Sequence, residues 1–310
     1  MMEIFKTVND KLIKTEQVDN GVWINLVGPN EAEIAMVCSA LKLECDYLKA
    51  ALDEEESSRI EVDEGVTLII VDIPIFNDGV NPVSYSTLPL GIILAGDSIV
   101  TVCLKESGII RDFIENKVKT FYTFKKTRFI LQILYKNAVR YLQYLRQIDK
   151  ESSRIENELH KSMKNKELIQ LLALEKSLVY FSTSLKANEL VLEKLMRQES
   201  IKNYPDDAEL LEDVIVENKQ AIEMAKIYSD ILSGTMDAFA SVISNNLNIV
   251  MKFLASITIV MAIPTMIASF FGMNVMVPMQ GNPFAFAYIL GTTLLLCVVA
   301  ALAMAKRKMF

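Results

Sequence analysis

Phe253–Phe271 (FLASITIVMAIPTMIASFF) and Phe284–Ala305 (FAFAYILGTTLLLCVVAALAMA) decide the fold, because no Asp, Glu, Lys or Arg occurs anywhere from Phe253 to Ala305. The hydrocarbon core of a bilayer takes about 20 apolar residues per helix, and each segment supplies that length. Between them, Gly272–Pro283 (GMNVMVPMQGNP) carries two glycines, two asparagines and two prolines, which is the chemistry of a loop. Lys306-Arg307-Lys308 follows the second segment. The positive-inside rule puts such a basic tail in the cytosol. Two spans then return the chain to the side it came from, so both termini are expected in the cytosol and only the short loop outside.

The rest of the chain has a different character. Over its full length it holds 32 basic and 39 acidic residues, a net charge of -7, with 51% hydrophobic residues and a mean hydropathy of +0.27. An acidic balance argues against a nucleic-acid partner, which needs a basic face. The first ten residues mix charges with apolar side chains and contain no apolar core of signal-peptide length, so the N-terminal part is expected in the cytosol. Cys38, Cys45, Cys103 and Cys297 lack metal-site spacing and read as buried thiols of a reducing compartment. His160, in a charged helical stretch, reads as solvated surface.

Residues 1–125 read as an α/β domain. Val22–Leu26 is strand-like, Asn30 with Glu33 three positions on forms a capping box that starts a helix, and Val66–Ile75 is a β-branched strand broken at Asn77-Asp78-Gly79. Leu88–Ala95 and Ser98–Leu104 flank Gly96-Asp97 as a hairpin. The order of the strands is not legible. Residues 126–206 then form long antiparallel helices, because Arg128–Lys164 and Leu168–Gln198 carry apolar residues at three- and four-residue spacing. Tyr204-Pro205-Asp206-Asp207 is a break followed by acids suited to a helix start. From there to Phe271 nothing but Gly234 and Pro264 interrupts a helical pattern. Those ~65 residues span roughly 100 Å as one helix, a stalk over 207–271 whose last part, from about 250, is the first membrane span. Residues 272–283 are the extracytoplasmic loop, 284–305 the second span and 306–310 the basic tail.

One face of the stalk helix is unusual. Asp237, Ser241, Ser244, Asn248, Met251, Ala255, Thr258, Ala262 and Thr265 follow one another at steps of four and three. That is the seam of a helix that packs on copies of itself, yet it is small or polar along most of its length. Ser, Thr and Asn can serve as glue between membrane helices, and for any one hydroxyl that reading holds. The length of the stripe favours a lumen. Two spans cannot enclose a pathway, so several copies must surround an axis. The first span then faces inward and the second, mostly Leu, Val and Ala over Ile289–Ala303, faces lipid. Met251 and Leu254 make apolar constrictions of the kind that gate by dewetting.

The helix ends in Ser269-Phe270-Phe271-Gly272-Met273-Asn274. Here the chain resembles the CorA family of magnesium transporters, whose signature is Gly-Met-Asn at the outer end of the first of two C-terminal membrane helices. The resemblance covers nearly the whole chain, with Trp23-Ile24-Asn25-Leu26 similar to the family's N-terminal strand and Asn245–Lys252 (NNLNIVMK) to its helix below the membrane. It implies a funnel-shaped homopentamer in a cell (inner) membrane, with an α+β cytosolic domain, stalk helices and two C-terminal transmembrane helices. It implies a channel rather than an enzyme, with Mg2+ as transported and regulatory ion and no organic cofactor. Gly272, Met273 and Asn274 match the selectivity motif. Asp237, Asn248 and Thr265 match polar pore positions, joined by Ser244 and Thr258 of the stripe, and Met251 with Leu254 match the hydrophobic gate. Asp213 matches an acid that binds Mg2+ between subunits and holds the channel closed. The run Asp53-Glu54-Glu55-Glu56 is a second regulatory candidate, or a solvated charged face. The chain departs from the family in having Val275 where an aromatic is usual, no acid in the outer loop, and Pro264 about one position away from the proline of some members. Another divalent cation (Co2+, Ni2+ or exported Zn2+) and a non-conducting membrane-anchored scaffold are the alternative readings.

Overall fold

The protein is described here from a computed structural model, which covers all residues except 64, 78, 80, 81, 163, 164, 198–203, 280 and 308–310, with only the backbone of 160–162. The His160 side chain and Asp78 of the expected strand break therefore lie outside the described residues. The chain divides into two compact units, Met1–Gly234 and Thr235–Phe310.

The first unit is built on a seven-stranded sheet: β1 (Met2–Val8), β2 (Lys11–Thr15), β3 (Trp23–Val27), β4 (Arg59–Asp63), β5 (Val66–Phe76), β6 (Tyr85–Ala95) and β7 (Ser98–Cys103), in the order β2-β1-β3-β7-β6-β5-β4. Only β3 and β7 run parallel; every other neighbouring pair is antiparallel. Helices α1 (Glu31–Leu41) and α2 (Asp46–Ala50) follow β3, and α3 (Gly108–Ile114), α4 (Lys126–Ser162) and α5 (Asn165–Met196) follow β7. The expected Asn30 capping box is present, with Asn30 Oδ1 accepting from the Glu33 N–H at 2.9 Å and Glu33 Oε2 accepting from the Asn30 N–H at 3.0 Å.

The two-residue alternation of strands separates two cores. Trp23, Ile69, Val71 and Ile73 face α3, α4 and α5, whereas Ile24, Leu68 and Ile70 face α1 and α2. Because both faces are covered, β5 reads VTLIIVDIPIF, nearly continuous rather than alternating. Trp23 centres the first core. Phe5, Phe113, Phe121 and Phe129 pack around its ring at centroid distances of 5.0–6.4 Å, and its Nε1–H donates to Thr101 Oγ1 at 2.8 Å. In the second core α2 lies directly on β6. A Cβ at Gly91 would stand 2.6 Å from the Ala51 Cβ, so only glycine lets the two backbones approach this closely.

Three features depart from the sequence reading. The hairpin β1–β2 turns at Asn9 and Asp10, both at positive φ (49° and 60°), the twist a two-residue hairpin requires. The edge strand β4 is rich in charge, and its ladder with β5 starts at Arg59 opposite Ile70. Beyond it α5 completes the sheet edge with side chains: Asn188 accepts from the Asp72 N–H (2.9 Å) through Oδ1 and donates to the Asp72 carbonyl (2.8 Å) through Nδ2. Finally, Cys38 and Cys45, expected as separate thiols, are joined in a disulfide across the α1–α2 connection, their Cα atoms 5.6 Å apart, within disulfide reach. Cys103 and Cys297 are free thiols.

The second unit contains the end of helix α6 (Pro205–Phe271) and the whole of α7 (Ala285–Lys306). Both α6 and α7 carry stretches long and apolar enough to cross a membrane. Of the described residues in this unit only Phe239 and Ser256 are buried.

Candidate ion pathway

Within the second unit, α7 covers one face of α6. Ile289, Thr293, Cys297 and Ala300 are the less exposed residues of α7, and Ser256, Val260, Ile263 and Ile267 those of α6, in each case at the three- and four-residue spacing of one helical face. Pro264 fixes one contact between them. Lacking an N–H, it leaves the Val260 carbonyl without its helical donor, and the Cys297 thiol approaches that oxygen at 3.8 Å. A proline inside a helical pattern signals such an orphaned carbonyl from sequence alone. Which group supplies the substitute donor is a tertiary fact, and sequence reading misses it.

The stripe points elsewhere. At about 100° per residue, Thr258, Ala262 and Thr265 lie roughly 180° around α6 from the face that α7 covers. Asp237, Ser241, Ser244, Asn248, Met251, Leu254, Ala255, Thr258, Ala262 and Thr265 are all exposed in the single chain. Thr258 Oγ1 donates to the Leu254 carbonyl at 2.8 Å, and Thr265 Oγ1 to the Met261 carbonyl at 3.0 Å. A threonine hydroxyl has one proton and two lone pairs. With the proton spent on its own helix, each of these oxygens presents acceptor capacity outward, the polarity that the waters of a hydrated cation require. Ile257, Thr258, Met261, Ala262, Thr265 and Ser269 line a shallow groove along this part of α6.

At the end of α6 the chain turns sharply. The Gly272 N–H donates to the Ala268 carbonyl at 2.9 Å, and a Cβ at Gly272 would meet that same oxygen at 3.1 Å, a crowding that glycine avoids. Met273 and Asn274 follow, both exposed. The chain re-enters helix through Asn282, whose Oδ1 accepts from the Phe284 N–H at 2.9 Å. Between them Met276 is 97% exposed.

The acids singled out as regulatory belong to the first unit. Asp53, Glu54 and Asp213 are exposed, and Asp53 Oδ1 is held in a local turn by the Glu55 N–H at 3.0 Å. Among the described residues of one chain, no three His, Cys, Asp or Glu side chains gather as a metal site. These acids are thus not brought together within a single copy.

An α/β unit, two membrane-length helices, a polar face on the first of them and a Gly-Met-Asn turn at its end define a two-span membrane transport protein. The chain belongs to the CorA-like Mg2+ transporter protein family, which matches residues 19–307. It is similar to the cobalt/magnesium transport protein CorA of Methanocaldococcus jannaschii, 27% identical over 90% of this chain and 88% of that one. It is also similar to the cobalt/magnesium transport protein CorA of Thermotoga maritima, 21% identical over 87% of this chain and 78% of that one. In three dimensions it matches the complete structure of the Methanocaldococcus jannaschii CorA magnesium transporter with a TM-score of 0.84 at 24% identity, over 98% of this chain and 97% of that one. The α/β domain, long helix and two C-terminal apolar helices expected from sequence are therefore the fold of the chain. Its family is one of divalent-cation transporters and not of enzymes.

Proposed function

We propose that this chain assembles as a homopentamer around its stripe and conducts hydrated Mg2+ passively into the cytosol through the ring of first spans. One observation carries the reading: the polar face of α6 lies opposite the face that α7 covers, exposed along its whole length. A long stripe of hydroxyl and amide groups on one side of a membrane helix is best satisfied where another copy or water meets it. Five copies supply both, each first span inward and each second span toward lipid.

In this assembly Asn274 forms the selectivity ring at the outer mouth, with Gly272 and Met273 shaping its turn. Magnesium dehydrates reluctantly and prefers strict octahedral oxygen coordination. Asn carbonyl oxygens accept hydrogen bonds from its bound waters without stripping them. Thr265, Thr258, Asn248, Ser244 and Asp237 continue the polar path, and Met251 and Leu254 form the hydrophobic gate. The driving force is the membrane potential, since a double charge gains roughly 4.6 kcal/mol per 100 mV. The basic tail supports cytosolic termini in a cell (inner) membrane. Regulation rests on intracellular Mg2+ bridging acids of neighbouring subunits, with Asp213 the first candidate and Asp53 and Glu54 the second. Their exposure in the single chain suits a site shared between copies.

The test is potential-driven flux into liposomes, with Mg2+ competing against Co2+, Ni2+ and Zn2+. Saturable inward Mg2+ flux that the other ions inhibit at higher concentration supports the proposal. Flux of another ion with Mg2+ inert overturns the assignment to magnesium, and no flux of any ion overturns conduction itself.

A further inference from the structure

In the first unit, a cleft of about 780 Å3 opens between the start of α4 and the start of α6. Its size lies within the range of small-molecule sites, and its lining divides by chemistry. Lys125, Lys126 and Arg128 supply cations, and Tyr122, Phe124 and Tyr204 supply rings. The first turn of α4 contains no acid, so two of these cations stand at the positive end of a 37-residue helix dipole, where like charge is unfavourable. Acids answer two of the three cations. Arg128 is tied to buried Asp207 at 3.1 Å, and Lys126 reaches the Gly96 carbonyl at 2.6 Å and the exposed Asp97 at 3.2 Å. Lys125 sits 5.0 Å from the centroid of the Tyr122 ring, and no acid of the described residues pairs with it. Phe124 and Tyr204 are 56% and 64% exposed, so neither ring contributes its full area to a core. Thr120, also in the lining, has a φ of 55°, a conformation that a β-branched residue rarely adopts.

We propose that this cleft binds a nucleoside polyphosphate, its phosphates against Lys125, Lys126 and the N–H groups that open α4, its base stacked on the exposed faces of Phe124 and Tyr204. Cations with helix N–H groups recognise the phosphates, and aromatic faces recognise the base. Phosphate alone leaves the rings unused, whereas a nucleoside alone leaves Lys125 uncompensated. Asp206, also in the lining, is a carboxylate suited to a divalent cation carried by the phosphates. The site is confined to the first unit, and binding there does not depend on ion conduction.

Isothermal titration of ATP into the full-length protein in detergent, in Mg2+-free buffer with EDTA, tests the proposal apart from any cation site. Saturable binding of one ATP per chain is expected, with adenosine and tripolyphosphate each weaker by about tenfold or more. Lys125→Glu and Tyr204→Ala are each expected to weaken ATP about tenfold, and Tyr204→Phe to restore it. Both side chains are exposed, and an unchanged unfolding temperature confirms that the fold is kept. Absence of ATP binding by the unaltered protein overturns the proposal. So does tripolyphosphate binding as tightly as ATP, which makes the cleft a simple anion site, or ATP affinity indifferent to both substitutions.

Discussion

The two units of the chain put their apolar side chains to opposite uses. In Met1–Gly234 the apolar residues are spent on the chain itself: both faces of the sheet are covered, and Trp23, Phe113 and Phe129 are excluded from solvent. In Thr235–Phe310 nearly everything apolar remains outside. Leu294, Leu295 and Leu302 of α7 are each more than 60% exposed. A soluble protein with such a surface aggregates. A membrane protein delivers it to lipid, and in this unit the longest run of hydroxyl and amide groups lies on the α6 face that α7 leaves uncovered. The first unit buries a core within one copy, whereas the described residues of the second leave most of their apolar surface uncovered.

That contrast can be broken at several points. Trp23→Ala removes the centre of the aromatic core and its bond to Thr101, and is expected to destabilise the first unit by about 3–5 kcal/mol. Chemical denaturation of the purified protein, followed through the loss of sheet signal, measures it. Leu295→Ala on the exposed surface of α7 is the control and is expected to leave the same transition unmoved. A smaller effect follows at Gly91→Ala, where the new methyl meets Ala51. Overpacking of this kind costs about 1–3 kcal/mol, and compensation by Ala51→Gly in the double variant sharpens the test.

Within the second unit the comparison is between faces. Thr258→Val keeps the shape of the stripe but removes an outward acceptor, and is expected to slow Mg2+ flux severalfold, about 1 kcal/mol at the barrier. Thr292→Val, on the exposed side of α7, is expected to leave flux unchanged. Equal effects at both positions would erase the distinction between a lumen face and a lipid face.

The smallest effect concerns Asp72, where burial pushes the carboxyl above its usual range despite hydrogen bonds from Ser184 and Ser58. A raised folded-state pKa means that the native protein holds this proton more tightly than the unfolded chain. The destabilising contribution is fully present above the folded pKa and fades as pH falls through it. Asp72→Asn is therefore expected to raise Tm slightly at neutral pH, with the gain shrinking in acid. A gain that grows on acidification contradicts the assignment.

How legible each unit was follows from the same physics. The membrane helices announce themselves because lipid acts on every residue of a span, so a run without charge suffices. The stripe is legible because a helix repeats its faces every three and four residues. Val66–Ile75 and the Gly96-Asp97 hairpin could be read for a related reason, both being runs of β-branched or apolar residues bounded by turn chemistry. The strand order could not, because the pairing of β3 with β7 joins residues more than seventy positions apart. Edge strands hid for another reason. β2 and β4 have a solvated side, so LIK and RIEVD carry no buried pattern. The Cys38–Cys45 pairing escaped because seven residues of separation are compatible with bonded sulfurs only if the intervening turn folds back, and nothing local dictates that it does. In the pathway, Gly272-Met273-Asn274 was legible as a motif. The partnership of Cys297 with the carbonyl opened by Pro264 was not, since it depends on the register of two helices.

The central claim is that cations pass along the polar face of α6 and are selected at its end. Potential-driven Mg2+ uptake into liposomes by the Asn274→Ala variant, beside the unaltered protein at equal reconstitution, tests it most directly. The account predicts that Mg2+ uptake falls at least tenfold, that its preference over Co2+ and Ni2+ is lost, and that the unfolding transition of the first unit is unchanged. Uptake and ion preference that both survive the loss of Asn274 would contradict it.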